Sequence, residues 1–225
     1  MDPIETPTPA LSGRRAQAAR NDRLILAAAR TVFLRDAAAP MSAVAKEAGV
    51  GISALYHRYE GKEDLVRRLC ADGLERFARI AQECLDAGAD PWTTLTEFVT
   101  GIIDADVHAL TVNLAGTFTP SEDLGRLAGD ASALGVRIFE AARTAGVLRA
   151  GLVAEDLTLL FDQVTAVLGP DDERTRQLRH RYLTIWFDGV AGDGAPPGAT
   201  GRGAADLPGP GPTSEEMGRR WIPRS

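Results

Sequence analysis

The sequence predicts an all-α protein: a small N-terminal helical head, a larger helical body and unstructured ends. Three observations lead there. Apolar residues recur at helical spacing almost everywhere between residues 13 and 191, and strand-like alternation is absent. Start and stop signals divide this stretch into about nine helices, with no internal repeat. Charge is also uneven. Residues 1–70 hold 11 Lys/Arg and 8 Asp/Glu, and residues 71–225 hold 14 and 23, so a chain of net charge −6 has a basic front on an acidic remainder. Only the front is suited to a polyanion.

Residues 1–12 read as a flexible leader with no apolar stretch that would make them a secretory signal. In the first helix Ile25, Ala28, Ala29, Val32 and Phe33 share one face, beside Arg14, Arg15, Arg20, Arg23, Arg30 and Arg35 with Asp22 as the one acid among them. Two short helices are expected at 41–48 and 52–59, and a long one over 62–86, with Leu65, Leu69, Phe77, Ile80 and Cys84 on one side. Pro91 opens the next helix, with Leu95, Phe98, Val99, Ile102 and Ile103 as apolar positions, and a short apolar piece follows at 107–114. Ser121 is placed as an N-cap, with Glu122 and Asp123 at the positive helix start and Gly146 at the stop. A helix over 155–168 is closed by Gly169-Pro170, and Asp171 caps the last helix, which ends near Val190. The final 34 residues, 192–225, hold 8 Gly and 6 Pro, too little apolar surface to offset ordering entropy, and are expected to be disordered. The domains expected are therefore 13–61 and 62–191, between a leader at 1–12 and a tail at 192–225.

No apolar run approaches the roughly 20 residues that a membrane span requires, so no membrane partner is expected. Two cysteines, Cys70 and Cys84, are too few for a disulfide scaffold and fit a reducing cytoplasm. Fourteen residues apart on one helix, they stand about 21 Å from each other, too far to bond within the chain. The three histidines lack metal-ligand spacing, and His108 beside Asp104 and Asp106 reads as a solvated ion pair. No cofactor, metal or catalytic residue is assigned: Gly-rich phosphate loops, HExxH and GxSxG are all missing.

The informative stretch is 41–65, MSAVAKEAGVGISALYHRYEGKEDL. Val44, Ala45 and Ala48 form the apolar stripe of one short helix. Gly49 stands where the chain must turn with positive φ, and Val50 plugs the angle. Leu55 and Tyr59 form an i, i+4 pair on the inner face of the second helix. Two short helices joined by a tight glycine turn make a helix-turn-helix. Ile52, Ser53, Tyr56 and His57 are left outside, Arg58 adds a donor, and Gly61-Lys62 opens the long helix as an anion site.

These pieces resemble the TetR family of bacterial transcriptional regulators. The match rests on Ile25-Leu26, Ala28-Ala29, Phe33, Val44-Ala45, Ala48-Gly49-Val50, Leu55-Tyr56, Tyr59, Lys62-Glu63 and Leu65, and covers about residues 20–70. The resemblance implies that Tyr56 and Lys62 meet DNA phosphates, and that Ile52, Ser53, Ala54 and His57 read or flank bases. Three residues depart from the family pattern: Gly51 replaces the usual Ser or Thr before the recognition helix, Ile52 a frequent Lys, and Pro40 a usual Thr.

Two readers on one frame bind a near-palindromic site far better than one. The expected pairing surface comprises Leu157, Leu160, Phe161, Val164 and Leu168, then Leu178, Tyr182, Ile185 and Trp186, although either stripe could pack inside the chain. The family pairs its last two helices in a four-helix bundle, which implies a homodimer. It also implies a small-molecule effector, often apolar, in a cavity of the body. Phe98, Ile102, Phe118, Phe139 and Phe161 are candidate walls; His108, Asn113 and Gln163 are candidate polar groups. The function expected is that of a cytoplasmic repressor released from a double-stranded operator by its effector, with an activator, or a helical DNA-binding protein that needs no ligand, as the alternative. An enzyme and a purely protein-binding helical adaptor are the rival classes.

Overall fold

The computed structural model describes residues 13–114 and 117–196, with the side chains of 13–19, 109 and 111–113 left aside. The leader expected at 1–12, most of the Gly/Pro-rich tail and the candidate side chain of Asn113 lie outside the described residues. The described residues form nine α-helices and one isolated antiparallel bridge, between Leu148 and Ala191. The chain divides into two compact units, Met1–Leu69 and Cys70–Ser225.

The first unit holds α1 (Gly13–Arg35), α2 (Met41–Ala48), α3 (Ile52–Arg58) and the start of α4 (Lys62–Asp86). Its buried apolar side chains are those the periodicity selects: Ile25, Ala28, Ala29 and Phe33 of α1, Met41, Val44 and Ala45 of α2, then Leu55, Tyr59, Leu65, Val66 and Leu69. The expected boundary at Gly61 falls short of Leu69. The opening of α4 is tied into this unit by the Lys62 ammonium, which donates to the Ala37 carbonyl at 2.8 Å and lies 5.3 Å from the centre of the Phe33 ring.

The second unit holds the rest of α4 with α5 (Pro91–Asp104), α6 (Val107–Leu114), α7 (Glu122–Thr144), α8 (Glu155–Thr165) and α9 (Asp172–Val190). Local chemistry sets the helix starts. Asp90 accepts from the amides of Trp92 and Thr93, Ser121 from Leu124, and Asp171 from Arg174. The core gathers Leu95, Phe98 and Ile102 of α5, Ile138 and Phe139 of α7, Leu160 and Phe161 of α8, and Leu183 of α9. Phe77, Phe98 and Phe161 meet edge to face, with centroids 5.3–6.4 Å apart. Gly135 of α7 lies against these rings, where a Cβ would stand 3.4 Å from Phe77, an ordinary contact.

Two expectations at the ends of elements are corrected. The helix over 155–168 stops at Thr165 instead. The buried Arg179 collects its terminal carbonyls, donating to Thr165 O at 2.9 Å and Val167 O at 3.2 Å, while also pairing with Asp106 at 3.0 Å. Asp106 itself has φ of +50°, a left-handed position between α5 and α6. Residues 192–196, expected within the disordered tail, also pack onto the body. The amide of Gly192 donates to Val147 O at 2.8 Å, and that of Gly194 to Gly146 O at 3.2 Å. A Cβ on Gly192 would stand 2.6 Å from the Leu148 backbone, so the glycines that signalled disorder are what allow this close seating.

Candidate nucleic-acid interface

The geometry of the α2–α3 corner follows from one glycine. Gly49 has φ of +66° and ψ of +28°, and its amide closes α2 onto Lys46 O while that of Val50 reaches Ala45 O. Gly51 then starts α3 without any side-chain cap, as the departure from Ser or Thr implies. A seven-residue helix without a cap is marginal alone. It is held by Leu55 and Tyr59, both buried, on its inner side.

Everything else on α3 faces outward. Ile52, Ser53, Ala54, Tyr56, His57 and Arg58 are exposed, Tyr56 at 55%. Ile52, Ser53, Tyr56 and His57 line one shallow concavity. This face offers a hydroxyl, an imidazole, a phenol on a rigid arm and an apolar side chain, a mixture able to meet base edges and phosphates but lacking any nucleophile–base pair.

Two of the residues expected at the interface also hold partners within the chain. Arg58 forms a bidentate pair with Asp22 of α1, Nε to Oδ1 at 3.0 Å and Nη2 to Oδ2 at 2.8 Å. Tyr59 donates its hydroxyl to the same carboxylate at 2.7 Å. The Arg58 guanidinium holds the Asp22 carboxyl below its ordinary range against the opposing effect of burial, and the Tyr59 hydroxyl adds to this. Burial pushes the Tyr59 phenol up, and its bond to Asp22 pushes it further, so it remains a donor. Lys62 is bound to Ala37 O and the Phe33 face, as described. Beside the anion site expected at Gly61-Lys62, Glu63 and Asp64 occupy the first turn of α4, and Asp64 accepts the Glu60 amide at 3.2 Å. Arg58 and Lys62 therefore brace the head, and sequence spacing alone gave no sign of partners 36 and 25 residues away.

Residues 25–69 match the sequence model for bacterial regulatory proteins of the tetR family. Solved structures agree over much more of the chain. A TetR regulator from Mycobacterium vanbaalenii is 24% identical, covering 79% of this chain and 99% of its own, with a TM-score of 0.53. A gamma-butyrolactone receptor, an ArpA-like protein, is 19% identical over 78% of this chain and 90% of its own, at 0.60. The ketosteroid transcriptional regulator KstR2 of Mycobacterium tuberculosis is 18% identical over 82% and 98%, at 0.59. A comparison with curated proteins gives no match.

Over residues 25–69 the chain is similar to the tetR family of bacterial regulatory proteins.

TetR-family regulators are transcription factors with a DNA-binding helix-turn-helix and no enzymatic activity. No described helix is long and apolar enough to cross a membrane. Among the described residues no group of three His, Cys, Asp or Glu is placed to hold a metal. Both cysteines are free thiols; burial pushes Cys70 up to about 11, which leaves it inert at neutral pH.

The second unit places several of the expected site residues. Of the candidate effector walls, Phe98, Ile102, Phe139 and Phe161 are buried together in the core and Phe118 is half-buried. His108 stands 5.4 Å from the Phe161 ring and bonds to Asp162 at 2.6 Å, not to Asp104 or Asp106. Those two acids pair with His180 and Arg179 across the fold. Gln163 is exposed on α8 and cannot line an enclosed cavity of its own chain. The candidate pairing stripes divide between core and surface. Leu157, Leu160, Phe161, Val164 and Leu178 are buried within their own chain, the four of α8 in one core with α5 and α9. Leu168, Tyr182 and Ile185 are exposed, Trp186 is half-buried, and Leu159, which neither stripe included, is the most exposed large apolar residue of α8.

Proposed function

We propose that this chain is a homodimeric repressor that sits on a near-palindromic double-stranded operator and leaves it when a small, largely apolar effector binds. The observation that carries the DNA-reading half is the division of labour on α3. Leu55 and Tyr59 are buried as anchors, and Ile52, Ser53, Ala54, Tyr56 and His57 form an exposed face with no internal commitment to explain it. In this reading Ser53 and His57 hydrogen-bond to base edges, Ile52 and Ala54 give apolar contact to thymine methyls, and Tyr56 reaches a phosphate oxygen. Arg58 and Lys62 act from behind, fixing the angle of α3. The target places the protein in the cytoplasm.

The effector half rests on the body. Two of the relatives in fold are, by name, a gamma-butyrolactone receptor and a ketosteroid regulator, and both names denote small ligands of mixed apolar and polar character. Phe161, with His108 and Asp162 against it, is where the body joins an aromatic wall to a polar pair. A ligand preferring the conformation with wrongly spaced readers releases DNA by its difference in affinity between the two states.

An electrophoretic shift assay with DNA flanking the protein's own gene tests the reading. The wild-type chain should shift it. Tyr56→Ala should weaken binding to every sequence by about tenfold, consistent with removal of a phosphate contact worth roughly 1.5 kcal/mol. Failure of the wild-type protein to shift any duplex at micromolar concentration rejects the function.

A further inference from the structure

The strongest charge feature that the helix-turn-helix does not absorb is the first half of α1. The helix begins at Gly13, well before the family match opens at residue 25. Between 13 and 35 the sequence carries six arginines and one acid, Asp22. That acid is the one residue whose charge would repel a nucleic acid, and it is neutralised by the bidentate bond to Arg58 and the hydroxyl of Tyr59. The same bonds fix where this part of α1 lies: Asp22 touches the C-terminal end of α3. Arg20 and Arg23 stand within one helical turn of that contact and on a shared side of α1, three positions apart. Both are exposed, and neither has an ion-pair partner among the described residues.

Resting on the reading of α3 as the element that enters the major groove, we propose that Arg20 and Arg23 form a second DNA-contacting surface. They bind the phosphates that flank the groove beyond the C-terminal end of α3. An arginine arm spans about 6–7 Å, and a helix adjoining the recognition helix runs beside the backbone that borders the groove. Guanidinium groups match phosphate oxygens in a bidentate way and carry no base preference. The contact therefore raises affinity for all duplexes alike and makes up for the absent side-chain cap at Gly51 and the missing lysine at Ile52.

The test compares the full-length wild type with the Arg20→Ala/Arg23→Ala double variant by fluorescence anisotropy, on a shifted promoter duplex and on a random duplex, from 50 to 200 mM salt. Without two phosphate-neutralising guanidiniums, the slope of log affinity against log salt should flatten by about 1.8, so the variant loses roughly tenfold less affinity than the wild type across that range. The weakening at low salt should be equal for both duplexes. Arg20→Lys/Arg23→Lys should restore the slope, and Arg126→Ala, in the exposed pair with Asp123 on α7, should leave it unchanged. An unchanged slope in the alanine variant, or a weakening confined to the promoter duplex, overturns this proposal while wild-type binding preserves the reading of α3. No binding by the wild type overturns both.

Discussion

At the scale of single residues, Asp22 is the most consequential side chain of the head outside α3. It accepts three hydrogen bonds, two from Arg58 and one from Tyr59, and so joins α1 to the last turn of α3. Replacing it with Asn keeps the shape, removes the charge and turns one acceptor into a donor facing a guanidinium. Arg58 is half exposed, which screens the pair, so the expected destabilisation is modest, about 1 kcal/mol by urea denaturation at pH 7. The pH dependence has a definite sign. The folded carboxyl titrates below its unfolded value of about 3.9, so its contribution is complete above that pH and disappears as pH falls through the lower folded value. The gap between wild type and Asp22→Asn should be constant from pH 5 to 7 and close below pH 4. A gap that does not narrow as pH falls below about 4 would mean the variant acts through packing. Nothing in the sequence around Arg58 revealed this, because a partner 36 residues away leaves no periodic trace.

The elements were legible wherever a short-range rule governed them. Gly49, Ser121, Asp171 and the i, i+4 pair Leu55–Tyr59 each act within one turn, and each stands where local chemistry places it. The end of α8 was not legible, because its stop is supplied from α9. Arginine reads as a surface residue, yet Arg179 is 9% exposed and serves three partners in three directions: Asp106, Thr165 O and Val167 O. Its planar fork is the reason lysine cannot replace it. Arg179→Met keeps the apolar stem but takes the guanidinium away from a carboxylate and two carbonyls, so urea denaturation should show a destabilisation of about 2 kcal/mol. Arg179→Lys should recover less than half of that. A change under about 1 kcal/mol in the methionine variant would mean that water replaces the guanidinium at the end of α8.

For the molecule as a whole, the expected pairing stripes divide between core and surface, and the exposed part marks a candidate interface. In α8 the apolar residues 157, 159, 160, 161 and 164 occupy more than one face, so spacing alone cannot say which face turns inward. The core takes Leu157, Leu160, Phe161 and Val164, which leaves Leu159 outside at 57% exposure, with Tyr182 and Ile185 exposed on the adjoining α9. Single exposed apolar residues are ordinary, but three on the outer sides of two packed helices are the composition of an interface core. In the proposed homodimer this surface would let two heads engage one operator, so that the second binding event becomes intramolecular. Ile185→Asp tests the arrangement cleanly, since a side chain already 45% exposed can be charged without disturbing the interior. Light scattering should report about 48 kDa for the wild type, twice the 23.9 kDa chain, and a single chain for the variant. Operator affinity should fall at least about a hundredfold while thermal unfolding of the monomer keeps its cooperativity. Leu160→Asp, by contrast, should abolish folding, because its side chain belongs to the core. An Ile185→Asp protein that keeps the dimer mass shows that the chains pair elsewhere.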